Sequence, residues 1–154
     1  MNSPAKHIDH TLLKSDATRA DIAGLCEEAV EHGFASVCIP PYYVRQASRL
    51  LYGSGVAVCT VVGFPLGYQT TESKIFETRQ AVSSGAVEVD MVINIGSVRN
   101  ADFTAVGDDI RRVVAAAENT VVKVIIECSL LNNAEKRKLV EIVAESGARY
   151  VKTS

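Results

Sequence analysis

Three reactive side chains stand at the same distance from three glycines along the sequence. Cys38, Asp90 and Lys152 each lie five residues after a glycine that ends a helical pattern and begins an apolar strand. Because side-chain direction in a strand repeats every two residues, equal offsets predict one shared layer on one face of a parallel sheet. A thiol, a carboxylate and an amine in one layer could perform nucleophilic and acid–base chemistry. We therefore predict a functional site in this layer.

Charged residues also interrupt two of the apolar strands. Asp90 alternates with valine and methionine in the strand at 86–94, and Lys123 alternates with valine in the strand at 120–127. Charges within a covered parallel sheet are costly unless they are paired, so Asp90, Lys123 and Lys152 are expected to form a polar network. A purely structural ion pair between Asp90 and Lys123 is an alternative. Cys38 could equally be a small packed hydrophobe, which is the more frequent role of a lone cysteine.

Lys152 could act as a nucleophile only as a neutral amine. Since the ordinary pKa of lysine is about 10.4, burial or a neighbouring cation is needed to favour the neutral form near pH 7. Lys123 could supply that cation, and Asp90 could then move protons to and from the substrate. The carboxylate of Ser154, two residues further on, would favour the ammonium instead. From its position alone, Lys152 could also be an ordinary surface lysine.

Helices and strands alternate along the whole chain. Thr18 with Asp21, and Asn132 with Glu135, have the spacing of helix N-terminal capping boxes. The apolar face of the first helix is expected to include Val30. The strands are predicted at 6–13, 34–39, 56–62, 86–94, 120–127 and at the end of the chain; the helices are predicted at about 19–32, after Pro41, at 71–84, at 102–117 and from 132. This pattern predicts a single α/β domain over residues 1–154, of the (β/α)₈ barrel type, in which alternate strands fill a common layer.

Composition excludes several classes of protein. The chain has 154 residues, 47% of them hydrophobic, and a net charge of −2, which favours neither disorder nor nucleic-acid binding. Its four cysteines are widely spaced, as is typical of free buried thiols in a reducing cytoplasm. No apolar run is long enough to span a bilayer, and the three histidines lack metal-ligand spacing. We therefore expect no membrane, nucleic-acid or metal partner.

The sequence also resembles the deoxyribose-phosphate aldolases. Six segments carry this resemblance in order along the chain: Ile8–Lys14, Val37–Pro40, Val62–Gly67, Glu88–Val92, Lys123–Glu127 and Val151–Ser154. The resemblance implies a class I lyase with a (β/α)₈ barrel. Such an enzyme reversibly cleaves 2-deoxy-D-ribose 5-phosphate to glyceraldehyde 3-phosphate and acetaldehyde through a lysine Schiff base, without a metal or other cofactor.

The resemblance also implies roles for individual residues. Lys152 matches the Schiff-base lysine, Asp90 the proton relay and Lys123 the supporting lysine. Asp9 and Thr11 match polar residues near the substrate. Cys38 matches a reactive thiol at the edge of the site.

The family pattern continues beyond the motifs found in this chain. A glycine-rich phosphate loop, a second active-site lysine and two more βα units would complete the barrel. The 154 residues are therefore expected to form an incomplete barrel of about six strands and five helices, which forms homo-oligomers through its open edge. A different function is also open: a catalytically silent barrel fragment that serves as an oligomerising or interaction module. Retro-aldol turnover would distinguish the two.

Overall fold

The computed structural model describes residues 4–153, in which strands and helices alternate. The strands are β1 (Asp9–Thr11), β2 (Ser36–Ile39), β3 (Ala57–Val62), β4 (Glu88–Val92), β5 (Val121–Ile125) and β6 (Tyr150–Lys152). The helices are α1 (Arg19–His32), α2 (Val44–Leu50), α3 (Thr71–Ser84), α4 (Ile95–Arg99), α5 (Phe103–Ala116) and α6 (Asn133–Glu145), with short 3₁₀ helices at Pro4–His7, Pro41–Tyr43 and Cys128–Leu130.

The strands form one six-stranded sheet and follow one another in it in chain order. The pairs β1–β2, β2–β3 and β5–β6 are parallel, with Thr11 opposite Cys38 and Lys152 opposite Ile125. A helix follows most strands and returns the chain for the next parallel strand. The predicted α/β class with six parallel strands is therefore confirmed.

Several strands end within a few residues of their predicted bounds, and two elements differ more strongly for local reasons. β1 is shorter than the predicted strand at 6–13, because residues 4–7 form a 3₁₀ helix that begins at Pro4. α4 is a sixth helix that the sequence did not predict. Its five residues are too few to show a helical period, and it depends on Asn94, whose side chain accepts a hydrogen bond from the Ser97 amide at 3.3 Å.

The chain divides into two compact units, the first formed by residues 1–61 and 81–88. Within it, the buried face of α1 consists of Ile22, Leu25, Cys26 and Ala29. Val30 was expected on this face, but it is 47% exposed. Its position lies about a quarter turn from the middle of the face, which accounts for the error. Whether the whole chain is a single domain stays a prediction.

The second unit comprises residues 62–80 and 89–154. The predicted apolar stripes of its two long helices are buried: Val106, Ile110, Val113 and Ala117 in and after α5, and Leu139, Ile142 and Val143 in α6. These stripes have the 3.6-residue period of a helix that packs one face on a sheet. Together with the apolar residues of β4 and β5, they form the core that holds the charged residues of the strands in place.

The loop between β3 and α3 is fixed by two glycines with positive φ. Gly63 (φ 62°) donates its amide to the Glu77 carboxylate at 2.7 Å. Gly67 (φ 71°) lies so close to the end of β4 that a Cβ atom there would overlap the carbonyl oxygen of Ile93. Only glycine combines this backbone conformation with such a close approach. The loop therefore lies directly against the end of the strand that carries Asp90.

The capping box at Asn132 should contribute measurably to stability. The Asn132 side chain accepts from the Glu135 amide at 2.9 Å, and the Glu135 carboxylate accepts from the Asn132 amide at 2.8 Å. We expect Asn132→Ala to lower the free energy of unfolding by about 1 kcal/mol, measured by urea denaturation. The neighbouring exposed Asn133 makes no cap, so Asn133→Ala is the control and should change stability by less than about 0.5 kcal/mol. Equal losses would show that the cap is not the cause.

Candidate active site

Asp90 connects two lysines within the second unit. Its side chain is fully buried; the Lys152 amine donates a hydrogen bond to Oδ2, and the Lys123 Nζ lies 3.4 Å from Oδ1. The predicted polar network of one acid and two lysines is therefore confirmed. The chemical roles of the three residues stay predictions.

The sheet register explains why these side chains meet. Asp90 is the third residue of β4, Lys123 the third residue of β5, and Lys152 the last residue of β6. Lys152 pairs with Ile125, two residues beyond Lys123, so both lysines point to the same face of the sheet. β5 lies between β4 and β6 in the strand order. The long lysine side chains can therefore converge on one carboxylate from the two following strands.

Exposure differs sharply among the three residues. The side chain of Lys152 is 34% exposed, whereas those of Lys123 and Asp90 are 8% and 0% exposed. A small molecule could thus reach the Lys152 amine at the carboxyl end of β6, where parallel α/β proteins place their sites. Asp90 and Lys123 lie beneath it, in surroundings where charges interact more strongly than in water.

The contacts of Lys152 also set its resting state. An anion in direct contact stabilises the ammonium form, and the Asp90 carboxylate occupies that position. Lys123 shares the same carboxylate, which weakens the hold of Asp90 on Lys152. Since Lys152 and Asp90 are directly hydrogen-bonded, a proton can pass between them without a large movement. Lys152 and Asp90 can therefore act as an amine nucleophile and an adjacent proton acceptor. Ser154, whose carboxylate was expected to oppose this, lies outside the described residues.

The other predicted site residues belong to the first unit. The Asp9 carboxylate accepts from the Ser36 hydroxyl at 2.7 Å, and the Thr11 hydroxyl donates to the Asp9 carbonyl at 2.8 Å. Cys38, directly opposite Thr11, is 1% exposed and belongs to an apolar cluster with Cys59, Val61 and Leu13. These surroundings favour the packed role over the reactive one. The shared layer with Asp90 and Lys152 stays a prediction.

Burial orders the reactivity of the four cysteines. All are free, but Cys128 is only half-buried, which corrects the expectation that every thiol is covered. Burial raises the pKa of the Cys26 thiol and so lowers its thiolate fraction near pH 8. We expect iodoacetamide to modify Cys128 first. Mass spectrometry of the peptides would identify the order in which the four cysteines are modified. In guanidinium chloride all four should react alike. Fastest labelling of Cys38 in the folded protein would contradict this order and restore its reactive role.

The sequence analysis missed a second buried ion pair, which lies between α3 and α5. The Lys74 amine is fully buried and donates to Asp109 Oδ2 at 2.6 Å. Within residues 4–153, Asp109 Oδ1 and the nearby Gln69 Oε1 are buried without a hydrogen-bond partner. The helical period of α3 and α5 could have revealed this ion pair from the sequence. Lys74 precedes the buried Thr78 by four residues, and Asp109 follows Val106 by three, so each lies on a buried face.

No helix within the described part of the chain is long and apolar enough to cross a membrane. This finding concerns residues 4–153 alone.

Comparison with known proteins identifies the relatives of this arrangement. A family model described as DeoC/LacD family aldolase matches residues 5–154. The deoxyribose-phosphate aldolase of Geobacillus sp. (strain WCH70) is 54% identical over 154 residues, which cover 99% of this chain and 69% of that protein. The corresponding protein of Syntrophotalea carbinolica is 55% identical, with 100% and 70% covered. The chain thus spans roughly two thirds of the length of these relatives.

The backbone gives the same result. The tetrameric structure of deoxyribose phosphate aldolase from Aeropyrum pernix matches with a TM-score of 0.90 at 36% identity, over 97% of this chain and 63% of that one. The likeness therefore extends from the strands to their connecting helices.

Proposed function

Because the chain belongs to the DeoC/LacD family of aldolases, we propose that it carries the lysine nucleophile and proton relay of a deoxyribose-phosphate aldolase. The reaction is the reversible cleavage of 2-deoxy-D-ribose 5-phosphate to glyceraldehyde 3-phosphate and acetaldehyde. The observation that carries this proposal is the contact of Asp90 with both Lys152 and Lys123. No metal or cofactor is required for this chemistry.

The first half of the reaction forms the Schiff base. Lys152 gives up a proton, and its amine attacks the aldehyde carbon C1 of the open-chain sugar phosphate to form a carbinolamine. Asp90, in contact with the amine, is placed to receive that proton. Return of a proton to the carbinolamine oxygen, directly or through a water, expels water and leaves an iminium ion. Lys123, whose Nζ lies 3.4 Å from the other carboxyl oxygen of Asp90, holds that side chain beside the reacting amine.

The second half breaks the carbon–carbon bond. The iminium accepts the electron pair of the C2–C3 bond while the C3 hydroxyl loses its proton, which releases glyceraldehyde 3-phosphate and leaves an enamine on Lys152. Protonation of the enamine carbon and hydrolysis then release acetaldehyde and restore the amine. The same carboxylate can return the proton that it accepted, in keeping with an acid–base relay.

The first unit is proposed to contribute substrate contacts. Asp9 and Thr11 offer oxygen atoms on β1, and Asp9 is held in place by the Ser36 hydroxyl. Cys38 is proposed at the edge of the site, where its burial in an apolar cluster makes its contribution a packing contact. The four free cysteines support a reducing compartment, and we propose the cytoplasm.

Turnover of deoxyribose 5-phosphate by the purified chain is the direct test. Release of glyceraldehyde 3-phosphate is followed by a coupled dehydrogenase assay, with Lys152→Met as the inactive control and Lys138→Met, on the exposed surface of α6, as the matched active control. Loss in the first variant alone supports the proposal. A folded chain that neither turns over nor forms an imine would favour the alternative of a silent interaction module.

Self-association is proposed on separate observations. β1 and β6 are the end strands of the sheet order, and such edges present backbone groups that pair with another chain. Apolar side chains near each are exposed: Ile8 is 42% exposed and Tyr150 is 54% exposed. The relative from Aeropyrum pernix is tetrameric. We propose a homo-oligomer formed through these sheet edges. Multi-angle light scattering should show it, and a monodisperse monomer at micromolar concentration would contradict it.

A further inference from the structure

A basic groove lies in the first unit, between the start of α1 and the outer side of α2. It encloses about 520 Å³ and is lined by Arg19, Tyr42, Tyr43, Arg45, Gln46, Arg49 and Leu50. Three of these seven residues are arginines, and no lining residue is acidic. The groove is therefore positively charged, although the chain as a whole has a net charge of −2. None of the lining residues takes part in the proposed aldolase chemistry.

Within residues 4–153, the guanidinium groups of two of the arginines have no partner. The guanidinium groups of Arg45 and Arg49 form no hydrogen bond or ion pair with any residue between 4 and 153. They stand four residues apart on α2, so they are neighbours on one helix face, where like charges destabilise a helix. An anion held between them would remove that repulsion. Guanidinium groups also match phosphate oxygens with paired hydrogen bonds.

Two hydrogen bonds that do not involve the guanidinium groups hold the groove open. The Tyr43 hydroxyl donates to the Ala17 carbonyl at 2.6 Å, and the Gln46 amide donates to the Arg19 carbonyl at 2.8 Å. These bonds connect the 3₁₀ helix before α2 to the loop before α1, and α2 itself to the first residue of α1. Arg19 is directed by its hydrogen bond to the Tyr42 hydroxyl at 3.4 Å. The arginines therefore line a preformed groove, and a preformed site loses less conformational entropy when a ligand binds.

An exposed aromatic ring lies beside the positive charges. Tyr42 is 75% exposed and packs edge-on against Tyr43, with the ring centroids 5.0 Å apart. Leu50, which also lines the groove, is 51% exposed. The open face of Tyr42 can stack on a flat ring, while the arginines hold a negative charge. The volume lies within the range of small-molecule sites, roughly 300–1,000 Å³.

We propose that this groove binds a phosphate-bearing small molecule, with the phosphate group on Arg45 and Arg49 and the remainder of the ligand toward Tyr42. The site is separate from Asp90, Lys123 and Lys152 in sequence and in chemistry. It is independent of whether the chain performs the aldolase reaction, so its test does not use turnover.

Titration calorimetry with inorganic pyrophosphate at low ionic strength tests the site. The double variant Arg45→Gln/Arg49→Gln should weaken binding by about tenfold or more, since it removes two charge-assisted contacts. The matched control is Arg79→Gln/Arg137→Gln, which removes two exposed arginines from other helices and changes the net charge equally. The control should change affinity by less than about twofold, and added salt should weaken binding to the unaltered protein.

Further probes distinguish the source of the phosphate. Adenosine 5′-monophosphate and glycerol 3-phosphate are compared on the unaltered protein and on Tyr42→Leu. Tighter binding of the nucleotide that disappears in Tyr42→Leu assigns a nucleotide site; equal binding of both assigns a site for the phosphate group alone. Absence of binding at millimolar pyrophosphate overturns the proposal. So does equal weakening in both double variants, or binding to anionic lipid vesicles without binding to soluble phosphates.

Discussion

Asp90→Asn is expected to lower turnover by at least about 10²-fold, the usual size of an acid–base contribution. The substitution keeps the shape of the side chain but removes the proton acceptor that contacts Lys152. The sequence analysis gave Asp90 a role in proton transfer and left a structural ion pair with Lys123 as the alternative. The structure adds a second effect, because the neutral amide leaves the 8% exposed Lys123 ammonium without its counter-charge.

This second effect should also appear in stability. Breaking a buried ion pair costs about 3–5 kcal/mol, and we expect a value near the lower end because Lys152 keeps partial contact with water. Activity must therefore be expressed per folded molecule, with the folded fraction taken from circular dichroism.

Asp109→Asn is the matched control for this measurement. It breaks the other buried pair, with Lys74, at a comparable cost in stability and without touching Lys152. Its turnover per folded molecule should stay within about twofold of the unaltered chain. If Asp90→Asn and Asp109→Asn lose activity per folded molecule equally, the loss at Asp90 reflects a general disturbance of the folded structure and not proton transfer.

Borohydride reduction in the presence of acetaldehyde is expected to attach an ethyl group to Lys152. Imine formation needs the neutral amine, and contact with Asp90 favours the ammonium, so trapping should increase as the pH rises from neutral toward 9. Peptide mapping by mass spectrometry identifies the modified residue. Lys152→Met should abolish the adduct, whereas Lys138→Met should leave it unchanged.

The position of the adduct decides the assignment of the nucleophile. Lys123 lies 3.4 Å from the same carboxylate but is almost fully covered, so it should remain unmodified in the folded chain. An adduct on Lys123 that persists in Lys152→Met would transfer the nucleophile role to Lys123. Equal trapping at pH 7 and pH 9 would show that Asp90 does not hold Lys152 as an ammonium.

The three charged residues of the candidate site could be predicted from the alternation of side chains along the strands and from their spacing after glycines. Asp90 and Lys123 were found because a charge in an apolar strand is rare, and Lys152 because its offset from Gly147 repeats that of Asp90 from Gly85. The cap at Asn132 depends on a spacing of three residues and was equally visible. The pairing of neighbouring strands could be predicted because alternating strands and helices form a parallel sheet.

Other features depend on packing that a local pattern does not contain. α4 is one turn and a half long, so no period could reveal it. Val30 has an apolar side chain at the margin of a helical face, where neighbouring elements decide whether it is covered. The groove at Arg45 and Arg49 requires α1 and α2 to lie side by side, which sequence spacing did not indicate.

The buried pair of Lys74 and Asp109 restricts the routes by which this sequence can change over evolutionary time. Losing either partner leaves a charge without compensation at a cost of about 3–5 kcal/mol, a large share of the 5–15 kcal/mol that stabilises a typical domain. Replacing both with apolar residues of similar size is often neutral or favourable. The residues at positions 74 and 109 should therefore covary among related sequences. Lineages that have changed one are expected to have changed the other, because a single replacement passes through a chain that is close to unfolding.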